Sequence, residues 1–143
     1  MEAQLKKLYF SLLIPVIVGF IAAYAVKIFL EVDVSAIKSF RIIAPLLFVL
    51  AFAFGVALPI LRRTLFVREN HDQKEIKEAD LLKFERETLY IAMITPYICL
   101  VAFFLEISRF HFLGTVLATF YAVYYFYPSH KRIHYEKRIF RTK

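Results

Sequence analysis

Two stretches decide the fold: LYFSLLIPVIVGFIAAYAV at residues 8–26 and LYIAMITPYICLVAFFL at residues 89–105. Neither holds a charged side chain, and both open on Leu-Tyr and reach a proline after the same five-residue gap, Leu8-Tyr9 to Pro15 and Leu89-Tyr90 to Pro96. A helix rises about 1.5 Å per residue, so about 20 apolar residues cross a hydrocarbon core. Residues 42–61 and 110–127 form two further apolar runs, so the sequence predicts four transmembrane helices. The third and fourth are the shortest and reach full length only with polar flanks such as Thr88, Glu106 and Ser108.

The exits of the paired runs also match. Pro59-Ile60-Leu61-Arg62-Arg63, with Phe66 three residues on, is echoed by Pro128-Ser129-His130-Lys131-Arg132, with Tyr135 three residues on. Proline and trailing basic residues are common in spans, yet matched spacing at both ends favours duplication. The expectation is an all-α integral membrane protein, a single membrane domain over residues 1–143. It comprises two tandem hairpins, about 8–66 and 88–135, related by a pseudo-twofold axis, and a basic tail at 131–143. The repeat offsets are 81 and 69 residues, which makes the outer loop of the first hairpin twelve residues longer.

Composition agrees with a membrane protein. Of 143 residues 60% are hydrophobic and the mean hydropathy is +0.59, above the range of soluble domains and incompatible with disorder. One cysteine, Cys99, excludes a disulfide scaffold and a thiol relay. The net charge of +7 sorts by side. Fifteen Lys and Arg fall in the N-terminus, the stretch after the second run and the tail, against Lys27, Lys38, Arg41 and Arg109 elsewhere. Cytoplasmic segments near spans carry that excess, so both termini are expected in the cytoplasm and the charge leaves nothing for a nucleic-acid reading to explain. Lys6 and Lys7 before an apolar run that ends in Ala23-Tyr24-Ala25 resemble a signal peptide. That run is long enough to span and has a counterpart later in the chain, so it is read as a helix.

No Asp, Glu, Lys, Arg or His lies mid-span, where transporters and pumps place an ionisable group. Lys27 and Glu106 are deepest, near the outer helix ends, and with Glu31, Asp33, Arg109 and His111 would form an outer polar cluster, for which snorkelling and interfacial pairing are the ordinary explanation. Pro15 and Pro96 free the carbonyls of Ser11 and Ala92, so paired kinks with a cavity between them are one reading. Absorption of the defect by packing, or by the Ser11 and Thr95 hydroxyls, is the plainer one. His130 and His134 share a helical face but lack a third ligand, His111 is a lone candidate for haem, and Walker, nucleophile-elbow and His-Glu-x-x-His motifs are absent. No enzyme activity, metal or cofactor is expected.

What remains is packing and adhesion. Gly19 with Ala23, Ala51 with Gly55, and Gly114 with Ala118 and Ala122 are small-residue stripes that let helices approach. Tyr121, Tyr124, Tyr125 and Tyr127 make one end of the last span aromatic, either a headgroup belt or a face for a lipid or quinone-like ring. Asp80 is expected to cap a helix that runs into the third span. Arg62, Arg63, Lys131, Arg132, Lys137 and Arg138 are the expected contacts to anionic lipid headgroups or an acidic partner. Two functions fit: a non-catalytic accessory, assembly or scaffold subunit of a membrane complex, through a membrane-protein partner or self-association, or a small homo-oligomeric transporter or channel. Short loops and no organellar address point to a bacterial inner membrane.

Overall fold

The computed structural model describes residues 1–30 and 42–142, and within them the chain is all helical. Three helices are long and apolar enough to cross a membrane: α1 (Glu2–Leu30), α2 (Ile43–Glu69) and α3 (Glu78–Phe104). Two shorter ones follow, α4 (Arg109–Tyr125) with 17 residues and α5 (His130–Ile139) with 10. At 17 residues α4 measures about 25 Å, less than the roughly 30 Å of a hydrocarbon core.

Prolines mark where two helices depart from regularity. In α2 a π-helical turn at Ala53–Ala57, closed by the Leu58 N–H donating to the Ala53 carbonyl, stands directly before Pro59. The Pro59 ring would crowd the Gly55 carbonyl in a regular helix, and the wider turn relieves it. In α3 the regular helix lapses at Met93, with φ −75° and ψ −2°, three residues before Pro96. Pro15, by contrast, lies inside an unbroken α1. Asp80 is not the cap of α3. The helix starts at Glu78 with Lys77 in the cap position and no side-chain cap bond, so Asp80 contributes only first-turn negative charge.

The two halves pack differently. α3 and α4 form a closely packed antiparallel pair, and α2 lies against both of them. α1 packs chiefly along α3, and among the described residues no comparably extensive α1–α2 contact mirrors the α3–α4 pair. Among the described residues, three hydrogen bonds to backbone carbonyls pin α1 to the bundle. The Tyr9 hydroxyl donates to the Val123 carbonyl at 2.9 Å, the Tyr97 hydroxyl to the Leu12 carbonyl at 2.9 Å, and Lys27 Nζ to the Phe103 carbonyl at 2.7 Å. Val123 and Phe103 lie in the last turns of their helices, where carbonyls lose their i+4 helical donors, so the Tyr9 and Lys27 side chains add to the capping there.

Two turns use left-handed backbone without glycine: Glu106 has φ 51° and Arg141 has φ 48°. After α3 the Glu106 N–H bonds Phe103 O and the Ile107 N–H bonds Ala102 O. After α5 the Arg141 and Thr142 N–H groups bond Arg138 O and Lys137 O in the same pattern. Both are Schellman motifs, in which glycine normally fills the left-handed position. The first turns α3 sharply into α4.

Candidate functional site at the charged end of the bundle

The α5 segment follows Pro128 and is started by Ser129, whose hydroxyl oxygen accepts the Arg132 N–H at 3.2 Å. Ile133, Glu136 and Phe140 recur at helical spacing and are buried, so this face turns toward α2 and α3. Lys131, Tyr135, Arg138 and Ile139 occupy the outward face and are exposed.

Ion pairs hold the inward face. Arg63 forks onto both carboxylate oxygens of Glu136 at 2.9 and 3.2 Å. Arg132 donates to Glu85 at 2.6 Å and to the Phe126 carbonyl at 2.8 Å, and its guanidinium stands 5.4 Å from the centre of the Phe126 ring. Arg62 donates twice to Glu87, at 2.6 and 3.2 Å, and Lys137 meets Glu78 at 2.7 Å. Glu85 and Glu136 are each only 4% exposed, and a carboxylate so buried stays ionised only beside a cation with its lone pairs occupied. Beside the pairs lies an aromatic cluster in which Phe66 stacks on Phe84 at 4.2 Å and Phe140 stands edge-on to Phe66 at 5.3 Å. With Ile76 and Leu81 it forms a second small core.

A cavity of about 40 Å³ remains among Arg63, Glu85, Arg132, Tyr121, Tyr125 and Pro59, on the scale of water molecules. The Tyr121 and Tyr125 rings stack at 5.2 Å along its wall. A wider cleft of about 640 Å³, lined by Arg63, Lys131, Arg132, Tyr125, Tyr135 and Glu136, opens on the outer side.

Of the basic residues singled out in the sequence, Arg62, Arg63, Arg132 and Lys137 are thus engaged within the chain, and Lys131 and Arg138 face outward. Their carboxylate partners were not singled out. Glu85 shares a helical face with Leu81, Thr88 and Ala92, and Glu136 one with Ile133 and Phe140, so an acid inside an apolar stripe was the readable signal.

At the opposite end Lys27 pairs with Glu106 at 3.0 Å and lies 4.6 Å over the Phe103 ring, while His111 bonds Ser108 on the next helix and Arg109 is exposed. Glu31, Asp33, Lys38, Arg41 and Lys143 lie outside the described residues. Pro96 and Thr95 are fully buried whereas Pro15 and Ser11 are exposed, so the two prolines do not face one another across a shared space. The Thr95 hydroxyl reaches the Ala51 carbonyl at 3.4 Å, just before the π turn, and not the Ala92 carbonyl. The small-residue positions all meet helices of the same bundle. A Cβ on Gly19 would stand 2.6 Å from Leu100, one on Gly55 3.0 Å from Thr95 Oγ1, and one on Gly114 2.1 Å from the Phe48 ring. Ala23, Ala51, Ala118 and Ala122 are buried beside them. Among the described residues no group of three or more His, Cys, Asp or Glu converges as a metal site. Set against protein-family models, curated proteins and solved structures, the chain matches none of them.

Proposed function

We propose that the chain is a four-span bacterial inner-membrane protein, with α4 as the short fourth span and both termini in the cytoplasm. On this reading it serves as a non-catalytic accessory, assembly or scaffold subunit of a membrane complex. The observation that supports it is that the bundle's buried polar groups are spent internally. Among the described residues no buried side-chain nitrogen or oxygen lacks a partner, and the buried threonines turn their hydroxyls onto backbone carbonyls. A solute path needs polar groups free to meet the solute, and a catalytic site needs at least one group not already committed. What the fold offers outward is surface: the Lys131, Tyr135, Arg138 and Ile139 face of α5, and a stripe on α4 of Phe110, Leu113, Leu117, Phe120 and Tyr124, each at least 67% exposed.

Extraction from the native membrane in mild detergent, followed by mass spectrometry of the intact assembly, tests the proposal. A stoichiometric foreign subunit is the expected result. A lone chain or homo-oligomer that moves a solute across liposomes sinks it. The transporter reading is favoured by one observation: the π turn of α2 and the irregular turn of α3 meet where Gly55 packs on Thr95, and such irregularities in apposed helices mark hinges in moving bundles.

A further inference from the structure

Where α1 leaves the charged end of the bundle it runs beside α3, and an open cleft of about 480 Å³ lies between them. Two helical stripes line it. On α1 they are Gln4, Lys7, Leu8 and Ser11, and on α3 Leu82, Arg86 and Tyr90, with Leu5 at the floor. Within this lining there are two cations and no acid. Neither Lys7 nor Arg86 makes an ion pair or side-chain hydrogen bond among the described residues. The nearest acids in the sequence are already taken: Glu2 by Lys6 at 2.6 Å, Glu85 by Arg132 and Glu87 by Arg62. The other basic cleft, beside α5, differs on this point, because its Arg63 and Arg132 are neutralised by Glu136 and Glu85 and Lys131 is left as a single cation there.

Depth narrows the ligand. Lys7 stands one residue before the first apolar run and Arg86 three before the third, so both cations sit within about 5 Å of the edge of the apolar stretch at 1.5 Å per residue. Further along, exposed apolar residues continue the two stripes at helical spacing, Ile14 and Val18 on α1 after Lys7 and Ser11, and Ile94 and Val101 on α3 after Tyr90. Two uncompensated cations with the Ser11 and Tyr90 hydroxyls at headgroup depth, above an apolar seam, match a phosphate that carries acyl chains.

We propose that this cleft binds the phosphate headgroup of an anionic phospholipid, with Lys7 and Arg86 as its charged contacts and Ser11, Tyr90 and Gln4 as hydrogen-bonding neighbours. The proposal rests on the membrane reading of the helices and is independent of the accessory role. It is tested on the full chain in detergent by titration with phosphatidylglycerol, phosphatidylcholine or soluble glycerol phosphate, with bound lipid read by native mass spectrometry. Phosphatidylglycerol is expected to bind in preference to the other two, and the double variant Lys7→Gln/Arg86→Gln to bind it roughly thirty-fold more weakly. The variant Arg68→Gln/Lys74→Gln, which removes two exposed cations outside the cleft, is expected to bind as the parent does. If the double variant does not purify, each single variant is expected to lose roughly five-fold. Unchanged binding in the cleft variants, or phosphatidylcholine held as tightly as phosphatidylglycerol, overturns the proposal. Glycerol phosphate bound as tightly as the lipid also overturns it, in favour of a soluble phosphate ester.

Discussion

The middle of the bundle and its charged end are held by different forces. Between Gly19 and Leu100, Gly55 and Thr95, and Gly114 and Phe48 the helices meet through missing side chains, with polar contacts from the Thr95 hydroxyl to the Ala51 carbonyl at 3.4 Å and from the Tyr97 hydroxyl to the Leu12 carbonyl at 2.9 Å. At the charged end α2, α3 and α5 are joined by guanidinium–carboxylate pairs and by stacked phenylalanines. On the membrane reading of the long helices, lipid supplies no hydrophobic force between them, so close approach must do the work there. Outside it, apolar burial is available again, and Phe66, Phe84 and Phe140 use it. The comparison teaches that a small membrane protein can contain two cores built by opposite rules within the same helices.

The largest effect is expected from Arg132→Ala, which leaves the Glu85 carboxylate buried without its cation and strips the Phe126 carbonyl of its donor. A loss of about 3–5 kcal/mol is expected in denaturant unfolding in detergent micelles. The paired variant Arg132→Met/Glu85→Met should recover most of it, and failure to recover would show that the pair does more than satisfy itself. In the middle of the bundle, Gly114→Ala drives a methyl into the Phe48 ring and should cost about 1–3 kcal/mol in the same assay. Raised salt should leave that loss unchanged, since no charge is involved. Returning the ring space with Gly114→Ala/Phe48→Leu should lessen the loss, and a salt-sensitive loss would blur the distinction between the two cores. Smaller again, Arg141→Gly relieves a left-handed residue at the end of α5 and should stabilise by about 1 kcal/mol, read as a rise in melting temperature. Smallest is Arg62→Gln, since the half-exposed Arg62–Glu87 pair is worth about 0.5 kcal/mol and should fade with added salt.

How much of this was legible in the sequence follows the same division. The long apolar runs and the helix that leads into the third of them could be read, because each depends on hydropathy and spacing along one helix. The tail reads as a basic strip from its composition, while its fold depends on Glu85 and Glu78 in register with Arg132 and Lys137 and on Arg63 meeting the tail's own Glu136, a tertiary fact. The matched Leu-Tyr and Pro positions suggested equivalent kinks, yet burial separates them: Pro96 is enclosed and breaks the helix at Met93, and Pro15 is exposed within a continuous one. Spacing alone carries no record of which face a residue turns to its neighbours. The cleft between α1 and α3 was unreadable for that reason, since Lys7 and Arg86 are 79 positions apart and meet only through the α1–α3 contact.

The guanidinium pairs also give the chain a chronology. Orientation during biosynthesis is set by Lys and Arg beside each emerging span, and neighbouring acids barely weaken that signal. On the proposed orientation, Arg62 and Arg63 leave the ribosome before Glu85, Glu87 and Glu136 exist, so they would act first as unshielded retention signals for the first two spans. Once α3 and α5 have been made, the same side chains are clamped by Glu87 and Glu136. On that reading a cue for topology early becomes a fastener between helices late, through the Arg62–Glu87 and Arg63–Glu136 pairs.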